Sequence, residues 1–88
     1  MAAKIVEAYF VYTQDYENDK EEELRMIVFS EFEAQRQINK LDDDCYFEPM
    51  EYDRVRTRKN NEVCGIKYQK EGKTVYSIWY EKKELIMT

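Results

Sequence analysis

Histidine is missing altogether from these 88 residues, and with it go the commonest general base in catalysis and the commonest imidazole metal ligand. Cysteine occurs only at Cys45 and Cys64, with no CxxC spacing, so neither a zinc site nor a structural disulfide is expected and both read as buried free thiols. Glycine occurs twice and proline once. No GxxxxGK[ST], GxGxxG or GxSxG stretch is present, and no serine has an evident base, which excludes the phosphate-cradling loops and the nucleophile elbow. No window approaches the roughly 18 consecutive apolar residues that a membrane span needs. The opening stretch "MAAKIVEAYFVYTQ" lacks the flanks of a signal peptide. These absences predict a cytoplasmic protein that is not an enzyme, has no membrane partner, and uses no cofactor or metal.

What is present is a dense aromatic and charged chain. Eight Tyr, four Phe and one Trp, within a 43% hydrophobic fraction, are too many large apolar groups for a disordered segment despite 38% charged residues. The length suits one small domain over residues 1–88, with a single core.

Periodicity predicts a β-β-α-β-β-β order: an α+β fold, mostly an antiparallel twisted sheet with one helix packed on one face. In "KIVEAYFVYT" (4–13) the even positions Val6, Ala8, Phe10 and Tyr12 are all apolar, so the even face is expected inward. "LRMIVF" (24–29) is a near-continuous apolar strand, after an acidic loop over 14–23. In "SEFEAQRQINKL" Ser30 and Glu33 have capping-box spacing, and Phe29 is placed to staple onto Ala34. Ala34, Ile38 and Leu41 form the apolar stripe, with Phe32 off it. A loop "DDD" (42–44) follows, then an extended segment whose Pro49 implies an edge or a bulge. An Asn60-Asn61 turn and a Gly72 turn, the latter of type I with a G1 bulge, should close the last three strands.

Those two turns imply a register in which Val55 opposes Ile66 and Ile66 opposes Tyr76. One face then carries Val55, Cys64, Ile66, Tyr68, Tyr76, Ile78 and Tyr80 as core. The other carries Arg54, Arg56, Arg58, Lys67 and Trp79 as a basic, partner-binding surface. Three uses fit that surface: a solvated sheet face with cation stems lying over apolar neighbours, a docking face for an acidic protein, or a nucleic-acid contact.

Charge is split along the chain. Residues 1–53 hold 15 acidic and 5 basic side chains, and residues 54–88 hold 4 acidic and 9 basic, giving the net −5. The carboxylates gather in two stretches, Asp15, Glu17 and Asp19, and Asp42, Asp43 and Asp44, which form a second candidate partner-binding surface. They suit solubility, mimicry of phosphates, or pairing with the basic stripe of another copy in a homo-oligomer. Asp15, Glu17 and Asp19 alternate as in an EF-hand loop, but Lys20 and Met26 stand where glycine and glutamate are needed.

The stretch "VFSEFEAQRQI" (28–38), followed by "CYFEPMEYD" (45–53), resembles small proteins of bacteriophages and prophages over about half the chain. The chain's size, charge and lack of catalytic residues are similar to those of phage proteins that bind and block host or defence machinery, including some anti-CRISPR proteins. The resemblance implies a binding role against a host or defence protein and identifies no site residue.

Overall fold

A computed structural model describes residues 3–45, 51–59 and 62–87. The elements run β1 (Lys4–Asp15), β2 (Asp19–Val28), α1 (Glu31–Asp44), β3 (Asp53–Lys59), β4 (Glu62–Lys70) and β5 (Lys73–Met87), in the expected order. The strands make one antiparallel sheet ordered β2-β1-β5-β4-β3. The two strands furthest apart in sequence, β1 and β5, pair at its centre from Lys4 with Met87 to Asp15 with Tyr76.

The helix begins where the capping signal places it. Ser30 is extended at the N-cap and its Oγ accepts the Glu33 backbone N–H at 3.1 Å, satisfying one of the amides a first turn leaves unpaired. Ala34 and Ile38 are fully buried and pack with Val11, Ile66, Tyr68, Val75 and Ile78 as the core, while Leu41 is partly buried against it. Phe32 stays 67% exposed, off the stripe, with the Arg36 guanidinium 6.0 Å above its ring. Phe29 is also largely exposed, so the expected staple onto Ala34 does not close the first turn. The helix does not end at Leu41 but runs through Asp42, Asp43 and Asp44 to a cap at Cys45, whose N–H donates to the Leu41 and Asp42 carbonyls.

Three expectations of register are corrected. In β1 the odd residues Tyr9, Val11 and Thr13 face the helix and the even residues Phe10 and Tyr12 face away. From Ala8 to Tyr12 every residue is apolar, so a period of two cannot choose a face; the pairing of Val11 with Met26 and Tyr80, both packed on the core, decides it. In β3–β4, Lys59 pairs with Glu62 and Arg58 with Val63 as a two-residue connection requires. Cys64 is then bulged out, and Thr57 pairs with Gly65, Arg56 with Ile66 and Arg54 with Tyr68. One extra residue exchanges the faces that β3 presents: Arg54 and Arg56 turn to the helix side and Val55 turns outward, 43% exposed. In β4–β5, Glu71 and Gly72 both have positive φ, 52° and 80°, the signature of a type I′ turn rather than a type I turn with a G1 bulge. With a further irregularity at Val75, Ile66 pairs with Ile78 and Tyr68 with Tyr76. That shift is by two residues, so Ile66, Tyr68 and Ile78 keep the buried side expected of them. Pro49, Asn60 and Asn61 lie outside the described residues.

Candidate functional site

The basic stripe is not one surface. Arg54 and Arg56, brought to the helix side by the Cys64 bulge, meet Asp42 in the last turn of α1: Arg54 Nε lies 3.4 Å from Asp42 Oδ1 and Arg56 Nη2 3.9 Å from Oδ2. The Tyr68 hydroxyl donates to the same carboxylate, and the Arg54 guanidinium sits 5.5 Å from the Tyr68 ring centroid. Asp42, read from sequence as a solvated loop residue, is therefore buried, at 6% exposure. A carboxylate at a helix C-terminus is disfavoured by the helix dipole. Two guanidinium groups and a phenol offset that penalty, which explains how three consecutive aspartates finish a helix with no basic residue in its last turn. Arg58 continues the same side of β3, while Lys67 and Trp79 belong to the opposite face.

The remaining carboxylates are dispersed. Asp15 ends β1 and accepts from the Glu17 and Asn18 backbone N–H groups at 3.0 and 3.1 Å and from the Asn18 amide at 3.1 Å. These bonds, with Asn18 foremost, hold its carboxyl below the usual range. This Asx turn makes a tight corner out of the expected long acidic loop, so Glu17 lies in the turn and Asp19 begins β2. Asp43 and Asp44 are exposed on the helix. Asp15 and Glu17 thus belong to one corner, at which the chain enters β2, and Asp42 does not share a surface with Asp43 and Asp44.

The sequence places Trp79 and Lys67 on the sheet face away from the core; what it does not show is that Phe10, Tyr12 and Leu24 join them on the face that the helix leaves open. Across it, β2-β1-β5-β4-β3, runs a row Leu24, Tyr12, Trp79, Gly65, Thr57, and beside it a row Glu22, Gln14, Ser77, Lys67, Val55. On the other side of the first row, Ile27, Phe10 and Glu81 are paired, followed by Ala8 with Lys83. Tyr12 and Trp79 stack with centroids 5.5 Å apart at 21°, and Phe10 stacks on Tyr12 at 6.5 Å. Lys83 clamps the group: its Nζ donates to the Tyr12 hydroxyl at 2.7 Å, lies 5.2 Å from the Phe10 centroid and 5.1 Å from that of Tyr12, and pairs with Glu81 at 3.4 Å. Glu81 also accepts from the Trp79 indole N–H at 3.5 Å.

Within the aromatic group Tyr12 is nearly buried, at 8% exposure, while Phe10 and Trp79 are partly exposed. Leu24 and Ile27 extend it towards the β2 edge, exposed by 47% and 39%. The four rows from Ala8 to Gln14 carry two acids, Glu22 and Glu81, and two bases, Lys67 and Lys83, and so are electrically balanced within a chain of net charge −5. No described helix or strand covers this face. Among the described residues, no helix is long and apolar enough to cross a membrane.

Comparison with protein-family models, with curated proteins and with solved structures gave no match.

Proposed function

We propose that this is a non-catalytic binding protein that acts by occupying a protein surface, and that the helix-free sheet face is where it associates. The observation that carries the reading is the Leu24–Tyr12–Trp79 row with Phe10 beside it. Rings held by stacking and by Lys83 lose little side-chain freedom on binding, and aromatic groups of this kind anchor protein interfaces. The balanced charge of the face suits a near-neutral, apolar partner surface better than a strongly charged one. The resemblance to phage proteins supports a host or defence protein as the eventual target.

Nucleic acid is the second reading, favoured by three aromatic side chains on one sheet face. It is weakened by the engagement of Arg54 and Arg56 with Asp42 on the other side, which leaves the face without the cluster of cations that phosphates require.

Affinity capture from bacterial lysate tests the proposal. The double variant Leu24→Glu/Ile27→Glu should lose whatever the wild-type chain captures, while Phe32→Ser, on the helix, should retain it. Capture that is indifferent to the sheet variants but lost on charge reversal at Asp43 and Asp44 would overturn the assignment.

A further inference from the structure

The centre of the sheet outruns its flanks. β1 and β5 pair without a bulge from Lys4 with Met87 to Asp15 with Tyr76. On one side β2 reaches only Tyr9, through Val28. On the other Gly65 pairs with Trp79, and counting on from there Glu62, the first residue of β4, extends only to Lys82. Residues 4–8 and 83–87 therefore form a two-stranded ribbon that projects beyond the described ends of its neighbours. A two-stranded ribbon is marginal in isolation, and among the described residues no strand pairs with the outer backbone N–H and C=O groups of either of its edges.

The outer edges of the sheet are blunted. β3 carries Arg54, Arg56, Arg58 and Lys59 among its seven residues. β2 carries Glu21, Glu22, Glu23 and Arg25, and its pairing with β1 is broken by two register shifts. Charge and bulges are devices that keep an edge from pairing with other chains. The end of β5 has neither: Leu85, Ile86 and Met87 follow one another with no proline, glycine, charge or bulge. Ile86 is 70% exposed, and Ile5 opposite it 62%.

Charge distinguishes the two edges of the ribbon. Glu7 and Glu84 stand directly opposite one another, a destabilising arrangement of like charges. Lys82 Nζ, 3.2 Å from Glu7 Oε2, neutralises the one on β1. Glu84, on β5, is exposed and takes part in no described ion pair. A second copy does not supply the missing cation. A twofold axis normal to the sheet pairs two β5 edges antiparallel and keeps every residue on its own face. Glu84 then meets Glu84, Lys82 or Ile86 of the second copy. The first register opposes like charges, the second sets Lys83 against Lys83, and the third gives Glu84 no cation.

We propose that the free edge of β5 at residues 83–87 is a site of strand addition for an extended segment of another protein, antiparallel to β5, with a lysine or arginine opposite Glu84 and apolar residues opposite Leu85 and Ile86. Backbone hydrogen bonds hold the segment and alternate side chains select it. Read from its N-terminus, the segment has two apolar residues followed by a basic one. This edge is separate from the Leu24–Tyr12–Trp79 row, so the two sites stand or fail independently.

NMR titration of the isotope-labelled full chain with a capped synthetic heptapeptide, Thr-Val-Ile-Val-Lys-Val-Thr, tests the proposal. Amide shifts should move at residues 83–87 and, through the paired strand, at 4–8. The same peptide with glutamate in place of lysine should bind about fivefold more weakly, and Glu84→Lys should reverse that order. N-methylation of alternate peptide residues separates strand addition from side-chain contact, since only every second amide of a strand faces a given neighbour. One set of methylated positions should abolish binding and the other should leave it. Leu24→Glu/Ile27→Glu should bind the peptide as wild type does. No shift at millimolar peptide, equal affinity for the two peptides, or equal tolerance of both methylated sets would overturn the proposal. Shifts at 83–87 that depend on protein concentration without peptide would overturn it too, by placing a second copy on the edge.

Discussion

Arg54 and Asp42 are joined across the fold, the guanidinium on the edge strand β3 and the carboxylate in the last turn of α1, 3.4 Å apart. This pair ties the outermost strand to the helix and uses cations that would otherwise stand on an open face. Arg54 is substantially exposed while Asp42 is nearly buried, so the two are not equivalent. Truncating Asp42 leaves the Tyr68 hydroxyl without its acceptor and two cations facing one another. Truncating Arg54 leaves Asp42 with Arg56 and Tyr68.

Asp42→Ala should therefore destabilise by about 2–4 kcal/mol, the range for removing one partner from a largely buried, hydrogen-bonded ion pair. Arg54→Ala should cost about 1 kcal/mol, discounted because the guanidinium is partly in water. Chemical denaturation of both variants checks the order; an Arg54→Ala loss larger than that of Asp42→Ala would contradict the described burial.

Ile66→Ala and Ile78→Ala should each cost about 2–5 kcal/mol, because both side chains are almost completely buried against the helix. Val55→Ala should cost less than about 0.5 kcal/mol, since the Cys64 bulge turns Val55 outward. Equal losses at Val55 and Ile66 would restore the register without the bulge.

Trp79 is half-covered by Tyr12 rather than fully open, so its fluorescence should be intermediate in wavelength and only partly quenched by iodide. Tyr12→Ala should shift emission to the red and raise the quenching constant, because the stacked ring 5.5 Å away is removed. Loss of the pair should also cost about 0.5–1.5 kcal/mol beyond the area term. Emission unchanged in Tyr12→Ala would show that the two rings are not in contact.

Alkaline pH should weaken the fold in two steps. Burial, the largest cause, pushes up the Cys45 thiol and the Tyr76 hydroxyl. The folded chain therefore keeps these protons at pH values where the unfolded chain has lost them. The unfolded state then binds fewer protons, and stability falls as pH rises. The decline should begin near the ordinary thiol value, about 8.5, and continue through the ordinary tyrosine value, about 10. Cys45→Ala should flatten the first step, as followed by melting temperature against pH. A melting temperature that rises between pH 8 and 9.5 would reverse the sign and refute the partial burial of the Cys45 thiol.

Local signals in the sequence determined the order of elements, the start of the helix at Ser30, the apolar stripe of Ala34 and Ile38, the exposure of Phe32, and the burial of Ile66, Tyr68 and Ile78. Each depends on neighbours within about a turn of helix or on the parity of one strand, and an even register shift between β4 and β5 leaves that parity intact. Tertiary structure alone decided which face of β1 meets the helix, since Ala8 to Tyr12 is apolar on both sides, and it did so by placing β1 between β2 and β5. It also decided the fate of the arginines. A single bulged residue, Cys64, exchanges the faces of β3; the strand-interior Gly65 beside it is the one local hint of a bulge, and the partner that the turned arginines meet, Asp42, lies on a distant helix. The Phe10–Tyr12–Trp79 group was illegible for the same reason. Its members come from opposite ends of the chain and become neighbours only because β1 pairs with β5.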